Sequence, residues 1–184
     1  GVTVAGFESI STVDNSGSLI MKNNAAIAYN SDRAVELKNN SKMEMDSTSS
    51  VHHNYTPVAV QSSKLIYGGI GLYDSSLVGG TVYNNLGSAG GGSYVQNSTI
   101  KNVTVKDNIA YLGGGLHIRY SGKAENCTFT GNTATSEGGG VYSEGGELIS
   151  CTVKGNRAIS GGGVFVTGAN VKLGGTMTVT DNTT

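Results

Sequence analysis

The 184-residue chain has no tryptophan, one proline, two cysteines and few charges, and each shortage excludes something. Charged residues amount to 14%, with 12 basic side chains against 13 acidic ones and a formal net charge of -1, so bulk electrostatics draw in neither nucleic acid nor an anionic membrane. Two cysteines cannot staple a disulfide scaffold, and their number says nothing about redox compartment. No apolar run approaches the ~18 residues of a spanning helix, so this segment is not expected to insert into a membrane. The opening Gly1-Val2-Thr3-Val4 has neither the charged nor the apolar region of a signal peptide, and the sequence reads as a mature or trimmed piece of a longer protein. What is plentiful is glycine, 29 residues of it, with Asn, Ser and Thr. That palette suits tight turns and β-branched strands and argues against a helical bundle.

These residues recur at a fixed interval. The unit apolar-any-apolar-any-any-Asn appears as VTVKDN (103–108), CTFTGN (127–132), CTVKGN (151–156) and MTVTDN (177–182). Upstream it continues as LIMKNN (19–24), VELKNN (35–40) and GTVYNN (80–85), and more weakly as VAVQSS (58–63). Its last positions, Asn24, Asn40, Ser63, Asn85, Asn108, Asn132, Asn156 and Asn182, form one expected file. Glycine pairs or triplets ending at Gly69, Gly92, Gly115, Gly140 and Gly163 keep a second register. Both markers share a period of roughly 23 residues, the signature of a repeat architecture.

That period divides into three short strands with turns, and the LxxLxL frame and helical segment of a leucine-rich repeat are missing. The expected fold is therefore all-β: one parallel β-helix domain over 1–184, about eight coils of about 22 to 26 residues stacked at ~4.8 Å. Residues 1–60 form its less regular N-terminal coils and 61–184 its regular ones. Cys127 and Phe129, like Cys151 and Val153, should point inward at equivalent core positions of adjacent coils. Asn85, Asn108, Asn132, Asn156 and Asn182 should sit at a turn, where Asn tolerates a left-handed backbone and its amide can bond to its equivalents in a ladder. The glycines mark a corner needing positive φ or close backbone approach.

FTGN (129–132) with GGVY (139–142) resembles the paired FxxN and GG-apolar-apolar motifs of the chlamydial polymorphic outer membrane proteins and related bacterial adhesin repeats. VKDN with GGLH and VKGN with GGVF are similar, with Val in place of Phe. The resemblance covers roughly 80–184. It implies a right-handed β-helix displayed outside a bacterial cell, in adhesion or as a passenger or stalk.

Chemistry is harder to find. The acidic residues are scattered, without the clustered carboxylates that β-helical polysaccharide lyases and hydrolases use, so no enzyme, metal or cofactor is expected. Arg119 falls one coil from Glu144, and a cross-coil ion pair accounts for both. His52 and His53 are adjacent, so on a strand they face opposite sides and cannot ligate one ion without a local turn; HHNYTP reads as an exposed loop between coils. Cys127 and Cys151 read as stacked free thiols that act as small apolar groups, with a disulfide between them as the alternative.

Two outward rows stand out. Thr81, Thr104, Thr128, Thr152 and Thr178 make one, explained by β propensity alone. Tyr94, His117, Tyr142 and Phe165 make the other, expected as an exposed aromatic face. The functional expectation is a non-catalytic extracellular adhesin or structural stalk, binding a host or neighbouring-cell glycan or protein receptor through that face. The alternatives are a fibre that assembles through its coil ends and a polysaccharide lyase or hydrolase.

Overall fold

Strands here are short because the sequence permits nothing longer. Units such as Thr104–Lys106, Thr128–Thr130 and Thr152–Lys154 place one buried apolar residue between two outward ones. Each is then stopped by Asn, Asp or Gly in the left-handed region. A computed structural model describes residues 2–5, 11–14, 16–31, 33–56 and 66–184. Among these, the strands stack into three parallel sheets of eight, seven and seven strands, termed A, B and C, and the chain visits them in the order A, B, C, winding after winding. The protein is a parallel β-helix. Seven such windings followed by one further sheet A strand are described, slightly fewer than the eight coils expected.

Register is in phase from end to end. In sheet A, Thr3 pairs with Ala26, Ala26 with Ser50, Ser50 with Thr81, and the file continues through Thr104, Thr128 and Thr152 to Thr178. The threonine row is thus a true column. Its inward neighbours Ile27, Val51, Val82, Val105, Phe129 and Val153 form one wall of the core. Sheet B contributes Val35, Ile70, Leu116 and Val141, and sheet C contributes Met43, Leu77, Ile100, Ala124 and Leu148. Cys127 and Cys151 are free thiols buried at the corner between sheets C and A, as expected for small apolar groups. Burial of a single side chain such as Phe129 stabilises by roughly 1.5–3 kcal/mol, repeated along every column.

Between sheets A and B, Ile109–Leu112 and Thr133–Glu137 pair as a short fourth wall. Glycines then carry the chain into sheet B. The triplet uses two different glycine properties. Gly113 takes φ +61, whereas at Gly115 a Cβ would come within 2.6 Å of the Gly140 carbonyl and 2.9 Å of Asn132 Nδ2. The Asn and Gly markers are therefore one device: the ladder amides occupy the space that a side chain at the third glycine would need.

The asparagine file differs from expectation at its N-terminal end. Asn85, Asn108, Asn132, Asn156 and Asn182 stand in line, and above them come Asn54 and Asn30, which the sequence reading missed. Asn24 and Asn40 belong elsewhere, and Ser63 lies outside the described residues. Asn24 turns the chain out of sheet C with φ +59, and Asn40 turns it out of sheet B with φ +63. Their role differs from that of the ladder: Asn24 and Asn40 are themselves left-handed, whereas the ladder asparagines are not, contrary to expectation, and the left-handed residue there is the one before, as at Asn84, Asp107, Gly131 and Asp181.

Candidate functional site

The aromatic row is built on the outer face of sheet B. Ser93, Leu116, Val141 and Val164 point inward, which turns the next residues outward in register: Tyr94 with His117, His117 with Tyr142, Tyr142 with Phe165. Ring centroids are 5.3, 4.8 and 5.8 Å apart along the file. The stack is as expected, but its exposure is not. Tyr94 is 3% exposed, His117 0% and Tyr142 8%. Of the expected open face of Tyr94, His117, Tyr142 and Phe165, the first three rings are buried and only Phe165 is partly exposed, because rings this close cover one another.

Upstream the column goes on in a disguised form. Gly71 occupies the row next to Tyr94, and a Cβ there would overlap the ring of Tyr67. Tyr67 reaches in from the preceding segment, is fully buried, and lies 6.1 Å from the Tyr94 ring. Its hydroxyl donates to Glu36 Oε1 at 2.7 Å, and Lys38 Nζ contacts Glu36 Oε2 at 2.6 Å. Burial, with the Glu36 carboxylate beside it, pushes the Tyr67 phenol far above its ordinary range. The group is held as a hydrogen-bond donor.

The row beside the aromatic column carries the charges. Glu144 accepts from Arg119 Nε at 2.8 Å and from His117 Nε2 at 3.0 Å, so the expected cross-coil ion pair is present and a histidine hydrogen bond joins it. Arg119 also reaches the Tyr94 hydroxyl at 3.5 Å. The His117 hydrogen bond and the Arg119 charge hold the Glu144 carboxyl below its usual range, while burial pulls the His117 imidazole down. His117 is thus neutral, donating from Nε2, and its buried Nδ1 has no hydrogen-bond partner. Both Glu144 oxygens are occupied by fixed donors.

A second ring cluster lies on sheet A and is accessible. The expected loop at His52 and His53 is instead a strand and its turn. His52 ends the strand Ser50–His52, and His53 follows it at φ +54. That turn swings the two rings to one side, with their Nδ1 atoms 2.7 Å apart. Tyr83, in register with His52, stacks on it at 4.6 Å, and Tyr29 stacks on His53 at 5.2 Å. The two stacked pairs stand at right angles, since the His52 and His53 planes differ by 86°. Tyr29 is 61% exposed. The signal that could have found this cluster is the alignment of AIAYN (26–30) and SVHHN (50–54) on TVKDN (104–108), which also yields Asn30 and Asn54.

Fold and sites together define a parallel β-solenoid of in-register windings. Within it, residues 126–144 match the model of the Chlamydia polymorphic membrane protein repeat, spanning Asn126 through the Asn132 corner to Glu144. The protein therefore carries a repeat of that kind, as the FTGN and GGVY motifs led one to expect. No curated protein and no solved structure matches the chain. No helix among the described residues is long and apolar enough to cross a membrane.

Proposed function

We propose that the chain is a non-catalytic structural module, a stalk or passenger segment of a bacterial surface protein that holds other parts at a distance from the cell. The observation that carries this reading is the unbroken asparagine file from Asn30 to Asn182, within which the surface-protein repeat lies. A continuous, internally satisfied polar column lets each winding brace the next, which is what load transmission along one axis requires. The use of both Glu144 oxygens by Arg119 and His117 favours a structural role for the best-placed carboxylate. Antibodies raised against the purified protein should label intact, unpermeabilised cells of the source organism. Labelling only after permeabilisation would refute display. Pulled from its two ends, the protein should rupture in discrete steps, each releasing about 23 residues or roughly 80 Å of chain. Smooth extension at low force would exclude a load-bearing solenoid.

The exposed rings of Tyr29 and Tyr55 support a second reading, an adhesin that binds a glycan or protein at the corner where the chain leaves sheet A. A glycan array comparing the native protein with Tyr29→Asn and Tyr55→Ser variants tests it. Unchanged binding removes that face.

A further inference from the structure

The His52 and His53 pair has a feature that stacking alone does not explain. From the strand Ala26–Ala28 onward, the residue that follows each sheet A strand sits in the left-handed region: Tyr29, His53, Asn84, Asp107, Gly131, Gly155 and Asp181, with φ between +52 and +64. Later windings fill that place with Asn, Asp or Gly, which adopt it at little cost. Tyr29 is a bulky ring held where such side chains rarely go, and His53, which tolerates the region better, takes it beside a second imidazole. What it achieves here is specific. Consecutive residues of a strand point to opposite sides, and only the reversal at His53 brings both imidazoles together.

We propose that His52 Nδ1 and His53 Nδ1 form a two-imidazole site for a divalent transition-metal ion of tetragonal preference, Cu2+ or Ni2+. With metal–nitrogen bonds of ~2.0 Å, the 2.7 Å separation corresponds to a bite angle of about 85°. That suits neighbouring corners of a square or octahedron and is too narrow for the tetrahedron that zinc prefers in structural sites. In the hydrogen-bonded pair the two Nδ1 atoms face each other, so each ring turns by roughly 45° to aim at a shared ion and the proton between them passes to solvent. Stacking against Tyr83 and Tyr29 keeps the two rings side by side on one face. Asn84 Nδ2 lies 3.3 Å from His53 Nε2, and turning the amide over presents its carbonyl oxygen to the Nε2–H of a ring that ligates through Nδ1, the outer contact that metal-bound histidines regularly make. Among the described residues no group of three or more His, Cys, Asp or Glu side chains converges, so water or a ligand from outside completes the coordination. The nearest cation in the file, Lys106, is two strands from His52, roughly 10 Å away.

The inference is independent of the stalk reading and is tested separately. Purified protein is titrated with Cu2+ and with Ni2+ by calorimetry, and the Cu2+ form is examined by electron paramagnetic resonance. One equivalent should bind, giving a tetragonal spectrum with coupling to two imidazole nitrogens. His53→Asn, which places at this turn the residue that the next winding uses at Asn84, should keep the circular dichroism of the fold and weaken binding by more than about tenfold. Asn84→Ala should weaken it by about 10- to 100-fold. His117→Gln, at the buried third histidine, should leave it unchanged. Absence of stoichiometric binding, or equal binding by the native protein and His53→Asn, overturns the site. A spectrum without imidazole coupling overturns the ligand assignment.

Discussion

Replacing Asn132 by Ala tests the column on which the fold depends. Asn132 Oδ1 accepts from the Asn108 backbone N–H and from Asn108 Nδ2, both at 3.0 Å. Its Nδ2 donates to the Val105 carbonyl and to Asn156 Oδ1, also at 3.0 Å. Truncation removes four side-chain hydrogen bonds in a site with no solvent access. Asn108 Nδ2 keeps the Val82 and Lys106 carbonyls, and Asn156 Oδ1 keeps the Asn132 backbone N–H, so these groups are not stranded. The Asn108 backbone N–H is stranded, at about 1–3 kcal/mol, and the other three bonds each forfeit about 0.5–1.5 kcal/mol. Asn132→Ala should therefore destabilise by roughly 2.5–7.5 kcal/mol, against at most about 0.5 kcal/mol for Thr128→Ala on the outer face of the same strand.

Solenoids need not unfold in one step, so urea denaturation is best read together with hydrogen exchange at the amides of 105–132. Asn132→Asp separates hydrogen bonding from volume. It keeps the acceptor but aims a second oxygen at the Val105 carbonyl and Asn156 Oδ1, so only the protonated acid can restore a bond. Its folded pKa should therefore lie above its unfolded value, and its stability deficit should be smallest at acid pH and grow as pH rises through the folded pKa. Equal stabilities of Asn132→Ala and Thr128→Ala would refute the ladder as a source of stability.

Ser93 sits in the apolar file between Ile70 and Leu116 with its hydroxyl buried and without a partner, so Ser93→Ala should stabilise by about 1 kcal/mol in urea titrations. Gly115→Ala drives a methyl against the Gly140 carbonyl and should cost about 1–3 kcal/mol. Gly155→Asn, at φ +63 with nothing within 4 Å of the added Cβ, should be neutral or slightly stabilising, and melting temperatures compare the two. Both His117 and Glu144 have folded pKa values below their unfolded ones, so their contribution is complete above the unfolded histidine pKa of ~6.5 and declines on acidification. Melting temperature should fall between pH 7.5 and 5, and His117→Gln should flatten that slope; an unchanged slope would mean that His117 is not the titrating group.

The winding was legible because stacking turns a period into a column, and Asn108, Asn132 and Asn156 could be placed before any coordinates. The N-terminal ladder was not, because LIMKNN (19–24) and VELKNN (35–40) fit the same six-letter unit as the true ladder segments. Asn24 and Asn40 carry the same letter for a different reason, being themselves left-handed at corners after sheets C and B, while Asn30 and Asn54 each follow a left-handed aromatic residue. Ladder membership depends on which sheet precedes the turn, and that is settled by pairing across some 23 to 31 residues. Burial of the aromatic row was hidden for a related reason. Alternation says only that Tyr94 and His117 leave the central core, and it is silent on whether neighbouring rings, or Tyr67 lying over Gly71, close above them.

One position of the winding thus decides both regularity and opportunity. The left-handed residue after sheet A must turn the chain so that the following Asn can enter the ladder, a demand that falls on the backbone and leaves the side chain pointing to solvent. In later windings Asn, Asp and Gly meet the demand with the least strain and leave the surface nearly featureless. At Tyr29 and His53 the same turn is made with rings, and Asn30 and Asn54 still complete the ladder. The column tolerates local strain because each winding is braced by its neighbours, so a repetitive scaffold can carry a unique site at one turn without losing register. The converse also follows: restoring Asn at residue 53 should raise stability while it removes the only place on sheet A, among the described residues, where two imidazoles meet.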